Sequence, residues 1–163
     1  MKVGIITVSD SCFRGEREDK SGSYLKGKVR ERGWKVVAYK IVPDEKNDIV
    51  KTLTDFCEKN MDVIFTTGGT GLGKRDITPE VTEEIVEKKI PGISEIMRVE
   101  TFKKSKYSVL SRGVSGIKDK TLIINLPGSL NGTKECFEVI IDIIEHSVEV
   151  IKGIEKHEEK EKD

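Results

Sequence analysis

Apolar positions along the chain follow two periods, and the switching between them predicts the fold. Four short segments are nearly continuous in Val, Ile and Phe: roughly Lys2–Ser9, Trp34–Val42, Asp62–Thr67 and Thr121–Leu126. Such β-branched runs without polar alternation read as strands covered on both faces. Between them the apolar spacing lengthens to three and four. Asp19 to Arg32 carries Leu25 and Val29 and stops at Gly33, a residue suited to closing a helix. Asn47 or Asp48 is predicted to cap a helix whose Ile49, Val50, Leu53, Phe56 and Cys57 form one stripe. Thr78 is predicted as an N-cap, with Pro79 at the first helical position and Val81 and Ile85 facing inward. Pro91-Gly92 introduces a further helical stretch holding Ile93, Ile96, Met97 and Val99. The last strand leads through Pro127-Gly128-Ser129 into a long helix, Thr133 to Ile154. Strands alternating with helices predict an α/β three-layer sandwich: one domain, a mostly parallel sheet and helices on both faces.

The chain of 163 residues is long enough for one well-cored domain, which we place at 1–154. Glu155 to Asp163 contains no apolar residue and is expected to be a disordered tail. Lys plus Arg and Asp plus Glu are both 29, so no global charge draws the chain to nucleic acid or membrane. No segment approaches the roughly 18–20 apolar residues of a membrane span, and the N-terminus is too soon polar for a signal peptide, which predicts a cytoplasmic protein. Cys12, Cys57 and Cys136 lack the spacing of a zinc site. Cys57 and Cys136 are expected to be buried, and Cys12 to lie in a loop with more exposure.

Chemistry concentrates after the third strand. Val63-Ile64-Phe65-Thr66-Thr67 breaks into Gly68-Gly69-Thr70-Gly71, followed by Asp76 and then Thr78-Pro79-Glu80. Glycines let backbone N–H groups come close to phosphate oxygens. The run is neither a P-loop, since no hydroxyl follows Lys74, nor a dinucleotide fingerprint, since the third glycine is misplaced. In a parallel sheet, ligands bind beyond the carboxyl ends of the strands. That rule brings Asp10, Asp44 and Asp76 to one edge, together with the Gly loop and Pro127-Gly128-Ser129. Carboxylates beside a phosphate-type loop suit a Mg²⁺-bound phosphate ester, so phosphoryl or nucleotidyl transfer is the predicted class. Asp10 has an even alternative as a turn cap. Ser111-Arg112 adds a serine and a guanidinium that would pair with phosphate.

Taken in order, Thr66-Thr67-Gly68-Gly69-Thr70-Gly71, Arg75-Asp76-Ile77-Thr78-Pro79-Glu80, Pro91-Gly92, Leu110-Ser111-Arg112 and Leu126-Pro127-Gly128-Ser129 resemble the MogA/MoaB family of molybdenum cofactor biosynthesis proteins. Ser9-Asp10, Asp19-Lys20-Ser21-Gly22 and Val42-Pro43-Asp44-Glu45 extend the match to residues 1 to 153. The resemblance implies a molybdopterin adenylyltransferase that joins AMP from MgATP to the molybdopterin phosphate and releases pyrophosphate. It implies Asp44, Asp76 and Ser111 as catalytic, with Asp44 and Asp76 as the Mg²⁺ ligands. The substrate-binding set becomes Ser9, Asp10, Thr67, Gly68, Gly69, Thr70, Gly71, Thr78, Pro79, Glu80, Arg112, Pro127, Gly128 and Ser129. It also implies a homotrimer or hexamer and hand-over to a molybdate-inserting protein. Ser129-Leu130 stands where many members carry a proline two residues on, a pattern nearer to MoaB-like members; the alternative function is a non-catalytic pterin-binding or scaffold protein. Phe137, Val139, Ile140, Ile141, Ile143 and Ile144 surround more of the long helix than one core stripe requires, which predicts a subunit contact there.

Overall fold

The computed structural model describes residues 1–154. Its elements run β1 (Lys2–Val8), α1 (Asp10–Phe13), α2 (Lys20–Glu31), β2 (Lys35–Val42), α3 (Lys46–Glu58), β3 (Val63–Thr67), α4 (Thr78–Ile85), β4 (Lys88–Lys89), α5 (Pro91–Phe102), a 3₁₀ turn (Lys106–Leu110), β5 (Ser115–Lys118), β6 (Thr121–Leu126) and α6 (Leu130–Ile151). The six strands form one sheet in the order β2-β1-β3-β6-β5-β4. β2, β1, β3 and β6 pair in parallel, while β5 and β4 are antiparallel additions at one edge.

Alternation along each central strand assigns residues to two cores. Val3, Ile5, Val63, Phe65, Leu122 and Ile124 face α2, α5 and α6. Ile6, Val8, Ile64 and Ile123 face α3 and α4, where Ile49, Leu53, Phe56 and Val81 meet them. The expected three layers follow, because the central strands β1, β3 and β6 are apolar on both sides and need a helix on each. One polar cluster interrupts the second core. Asn125 on β6 donates from Nδ2 to Thr66 Oγ1 and Thr82 Oγ1, both at 2.9 Å, and its Oδ1 accepts the Val114 N–H at 3.1 Å. Buried amides are stable only when satisfied in this way.

Several local expectations are corrected. α3 begins at Lys46 after Glu45, which makes no side-chain cap, so neither Asn47 nor Asp48 caps it. α4 takes Ile77 as its cap, placing Thr78 inside the first turn. α6 begins at Leu130, earlier than Thr133, because Ser129 Oγ accepts the Gly132 N–H at 3.1 Å. Cys12 lies on α1 and is buried, not loop-exposed. Cys136 is buried and Cys57 is half-buried. The second apolar flank of α6 is covered by the chain itself: Phe137, Ile140, Ile141 and Ile144 belong to the first core, and Ile143 alone of the six is exposed. Exposed apolar side chains gather instead on α5 and the 3₁₀ turn, at Ile96, Val99, Phe102, Tyr107, Val109 and Leu110. The tail expected over 155–163 lies outside the described residues. No helix among the described residues is long and apolar enough to cross a membrane.

Candidate functional site

The strand order reverses at β1 and β3: the chain leaves β1 for β2 on one side and returns to β3 on the other. Ligand clefts form at such a point. Beyond Thr67 the backbone turns through Gly68 and Gly69, with φ of 106° and 64°. A β-carbon on Gly68 would run into the Val8 carbonyl, and one on Gly69 into Thr78 Oγ1, so glycine is required twice over. The loop is then buckled from behind. Thr78 N–H donates to Gly69 O at 3.1 Å, and Arg112 N–H donates to Thr70 O at 2.9 Å. The Arg112 side chain donates from Nε to Gly71 O at 2.7 Å and from Nη2 to Asp76 O at 2.5 Å, and its Nη1 pairs with Glu80.

The three aspartates converge, with different partners. Asp10 and Asp44 exchange bonds: Asp10 N–H donates to Asp44 Oδ2 at 2.8 Å, and Asp44 N–H to Asp10 Oδ1 at 3.1 Å. Arg75 clamps Asp10 with bonds of 2.7 and 3.1 Å and reaches Glu45 at 2.8 Å. The Arg75 guanidinium holds the Asp10 carboxyl below the usual carboxylate range. Asp44 shifts the other way. Burial pushes its carboxyl up, and the charges of Asp10 and Asp76 add to the rise against the Asp10 amide bond. Asp76 Oδ2 accepts the Gly73 N–H at 2.8 Å. Asp44 is thus a carboxylate in a site with surplus negative charge, and a cation would relieve it.

Two cavities meet across this ridge. The smaller, about 520 Å³, is lined by Ser9, Asp44, Thr67, Gly68 and the N-terminal residues of α2, with Arg17 and Lys20 at hand. The ends of α2 and α6 present N–H groups there, an arrangement that favours anions. Asp19 fixes the α2 end: its carboxylate accepts from Gly22 N at 2.8 Å, Thr7 Oγ1 at 2.5 Å and Tyr39 Oη at 2.6 Å. Ser21 Oγ ties that helix to Gly128 O at 3.0 Å. The larger cavity, about 680 Å³, is bounded by Thr70, Gly71, Met97, Leu110, Ser111 and Pro127. Gly69, Asp76, Gly128 and Ser129 line both.

Sequence reasoning therefore brought together Ser9, Asp44, Thr67 to Gly71, Asp76, Ser111 and Pro127 to Ser129 around one cleft. It placed five residues differently from the structure. Thr78, Pro79, Glu80 and Arg112 border neither cavity and support the loop from behind; the Arg112 donors engage protein carbonyls and Glu80 instead of an open phosphate position. Asp10 also borders neither, because Arg75 and Asp44 hold it. Thr67 reaches the smaller cavity, but its hydroxyl donates to Pro127 O at 2.7 Å. Sequence reasoning left Arg17, Asp19, Lys20, Arg98, Lys104 and Glu135 out of the site. Lys20, Arg98 and Glu135 sit on helices, where a charge looks like a solvated face, and Arg17 and Lys104 sit in loops; only the Asp19-Lys20-Ser21-Gly22 motif carried a signal.

Comparison with known proteins finds relatives of the whole fold. The family described as "Probable molybdopterin binding domain" matches residues 4–146. The molybdenum cofactor synthesis protein cinnamon of Drosophila melanogaster is 41% identical over 150 residues; the match covers 91% of this chain, which spans only 25% of that protein's length. A Helicobacter pylori protein named molybdopterin adenylyltransferase is 39% identical over 154 residues, 93% of this chain and 88% of the relative. The crystal structure of the molybdopterin biosynthesis enzyme MoaB from Thermus thermophilus superposes with a TM-score of 0.88 at 41% identity, covering 93% of this chain and 96% of that one. With the family matched across nearly the whole described fold, and with the glycine loop and its carboxylates in place at the switch point, the chain belongs to the probable molybdopterin binding domain family.

Proposed function

We propose that the chain is a molybdopterin adenylyltransferase: an oxygen of the molybdopterin phosphate attacks the α-phosphorus of ATP, the bond from that phosphorus to the bridging oxygen breaks, and pyrophosphate leaves. The observation that carries this reading is the pair of cavities joined at Gly69, Asp76, Gly128 and Ser129, since a transfer between two substrates needs both held with their reacting ends at one place. The name of the Helicobacter pylori relative, which this chain matches over 88% of its length, supports it. In this reading the ATP phosphates lie in the smaller cavity, against the Gly loop and the N-termini of α2 and α6, with Arg17 and Lys20 neutralising charge.

Asp44 and Asp76 fit a magnesium ion, because the donors are hard oxygens and Mg²⁺ commonly takes one or two carboxylates with the rest of its shell from phosphate and water. When bound, the ion supplies charge neutralisation for the phosphates. Asp10 and Arg75 hold Asp44 in position, and Arg112 fixes the backbone at Asp76. Ser111 faces the larger cavity and is the candidate for contact with the molybdopterin phosphate. Pyrophosphate release from ATP and Mg²⁺, measured with and without molybdopterin, tests the assignment. Molybdopterin-dependent release is expected. Tight molybdopterin binding with no release from ATP would refute it and identify a pterin-binding protein instead.

A further inference from the structure

The larger cavity carries three charged side chains that the proposed transfer does not use, Arg98, Lys104 and Glu135. Ser94, Arg98 and Thr101 lie along one side of α5, and Asn131 and Glu135, four residues apart, share a face of α6; all five line the cavity. Arg98 and Glu135 are both half-buried. Among the described residues the Glu135 carboxylate has no hydrogen-bond or ion-pair partner. Arg98 donates only from Nη1, to the Ser111 and Gly113 carbonyls at 3.3 Å each, which leaves its Nε and Nη2 groups without protein acceptors. Both charges act on the buried Cys136 thiol, in opposite directions. Met97, Leu110 and Leu72 add apolar wall. Lys104, just beyond the C-terminus of α5, adds a second cation to the lining. A slot with apolar walls, one unpaired acid and a partly paired planar guanidinium suits a flat heterocycle with donors on one edge and an acceptor beside them.

We propose that Glu135 and Arg98 read the 2-amino-4-oxo edge of a pterin ring in this cavity, Glu135 accepting from the amino group and the adjacent ring N–H, and Arg98 donating to the ring carbonyl. The proposal rests on the reading of the chain as an enzyme of molybdopterin and names the residues that select its ring. Two adjacent N–H donors match the two oxygens of a carboxylate in a bidentate pair. Adenine presents one donor next to a ring lone pair, so a carboxylate facing it would meet an acceptor. The same edge therefore accepts pterin and excludes the nucleotide base from this cavity, leaving ATP to the smaller one. Guanine presents the same donor, donor, acceptor pattern along its 2-amino-6-oxo edge.

The test is equilibrium binding to the full-length protein, using pterin, lumazine (in which a carbonyl replaces the 2-amino group), GMP and AMP as probes of wild type and Glu135→Gln. Wild type is expected to bind pterin about tenfold or more tighter than lumazine, the scale of a hydrogen bond to a charged group. Glu135→Gln should lose most of that ratio, with AMP affinity unchanged within about twofold and an unchanged melting temperature, because Glu135 has no protein partner to lose. Arg98→Lys should weaken pterin and lumazine together, since both keep the 4-oxo group. Equal binding of pterin and lumazine by wild type, an unaltered ratio in Glu135→Gln, GMP bound tighter than pterin, or a fall in AMP affinity would each overturn the proposal. Absence of pyrophosphate release by wild type would instead count against the transferase reading and leave the pterin discrimination to be measured on its own.

Discussion

Gly69→Ala isolates the mechanical element on which the cleft depends. The residue sits at φ 64°, where an L side chain costs about 1–2 kcal/mol. The new β-carbon would also lie closer than 3.0 Å to Thr78 Oγ1 and 3.3 Å from Asp44 Oδ1. Thr78 has no accessible surface, and its N–H is tied to Gly69 O at 3.1 Å, so it has little room to give way. Overpacking of this kind costs about 1–3 kcal/mol. The two contributions sum to about 2–5 kcal/mol, which for a chain of this size lowers the melting temperature by roughly 4–20 °C. Thr78 Oγ1 is buried with no hydrogen-bond partner, so Thr78→Ala removes the obstacle without breaking a bond. In that background Gly69→Ala should cost only the backbone share, giving a favourable coupling of about 1–3 kcal/mol in a double-mutant cycle. Urea unfolding of the four proteins at one concentration, followed by circular dichroism, measures it. Additivity within about 0.5 kcal/mol would show that the loop does not press on Thr78.

Asp76→Asn should cut pyrophosphate release on the order of a hundredfold or more while thermal stability holds, and Asp44→Asn should weaken Mn²⁺ binding, read by electron paramagnetic resonance; wild-type turnover and metal affinity in both would remove the metal assignment. Arg112→Lys should lower turnover through a loosened Gly71–Asp76 backbone, since an ammonium cannot reach two carbonyls and Glu80 in one plane; unchanged turnover would deny the buckle. Burial pushes the Cys136 thiol up from 9.0 to about 11, so on going from pH 9 to 11 the unfolded thiol loses its proton first and stability falls, by at most about 2–3 kcal/mol. Cys136→Ser should flatten part of that loss in urea titrations across the window, and an identical slope in both proteins would contradict it. Light scattering at micromolar concentration should give a trimer or hexamer, with Val99→Glu or Phe102→Glu on α5 shifting it toward monomer more than Ile143→Glu on α6; a monomeric wild type would refute the assembly.

The parts of the fold legible in the sequence were those whose burial left a pattern. β1, β3 and β6 are buried along almost their whole length, so their Val and Ile runs were unmistakable, and helices α2, α3 and α5 showed their stripes. β4 and β5 left none: Lys88–Lys89 and Ser-Gly-Ile-Lys gain strand geometry only from pairing with each other and with β6. The site was readable where backbone geometry demanded a residue type, as at Gly68 and Gly69, or where a carboxylate ended a strand, as at Asp44. Arg112 was misread because an arginine beside a glycine loop looks the same whether it faces a phosphate or the loop's own carbonyls. Glu135 and Arg98 were invisible because a charge within an amphipathic helix normally means solvent, and only the cavity wall shows otherwise.

The two outer strands bear on self-association. A sheet edge offers unpaired N–H and C=O groups on which a foreign strand can add. Here β2, at one edge, exposes Lys35 and Lys40, and β4, at the other, is two residues long and consists entirely of exposed lysine. An incoming strand would have to desolvate those ammonium groups at one edge and would find only a two-residue template at the other. Sheet extension between copies, the first step toward fibrillar aggregation, is therefore opposed at both ends. That leaves helix faces for any contact between copies, and such contacts can close into rings of defined size without indefinite growth.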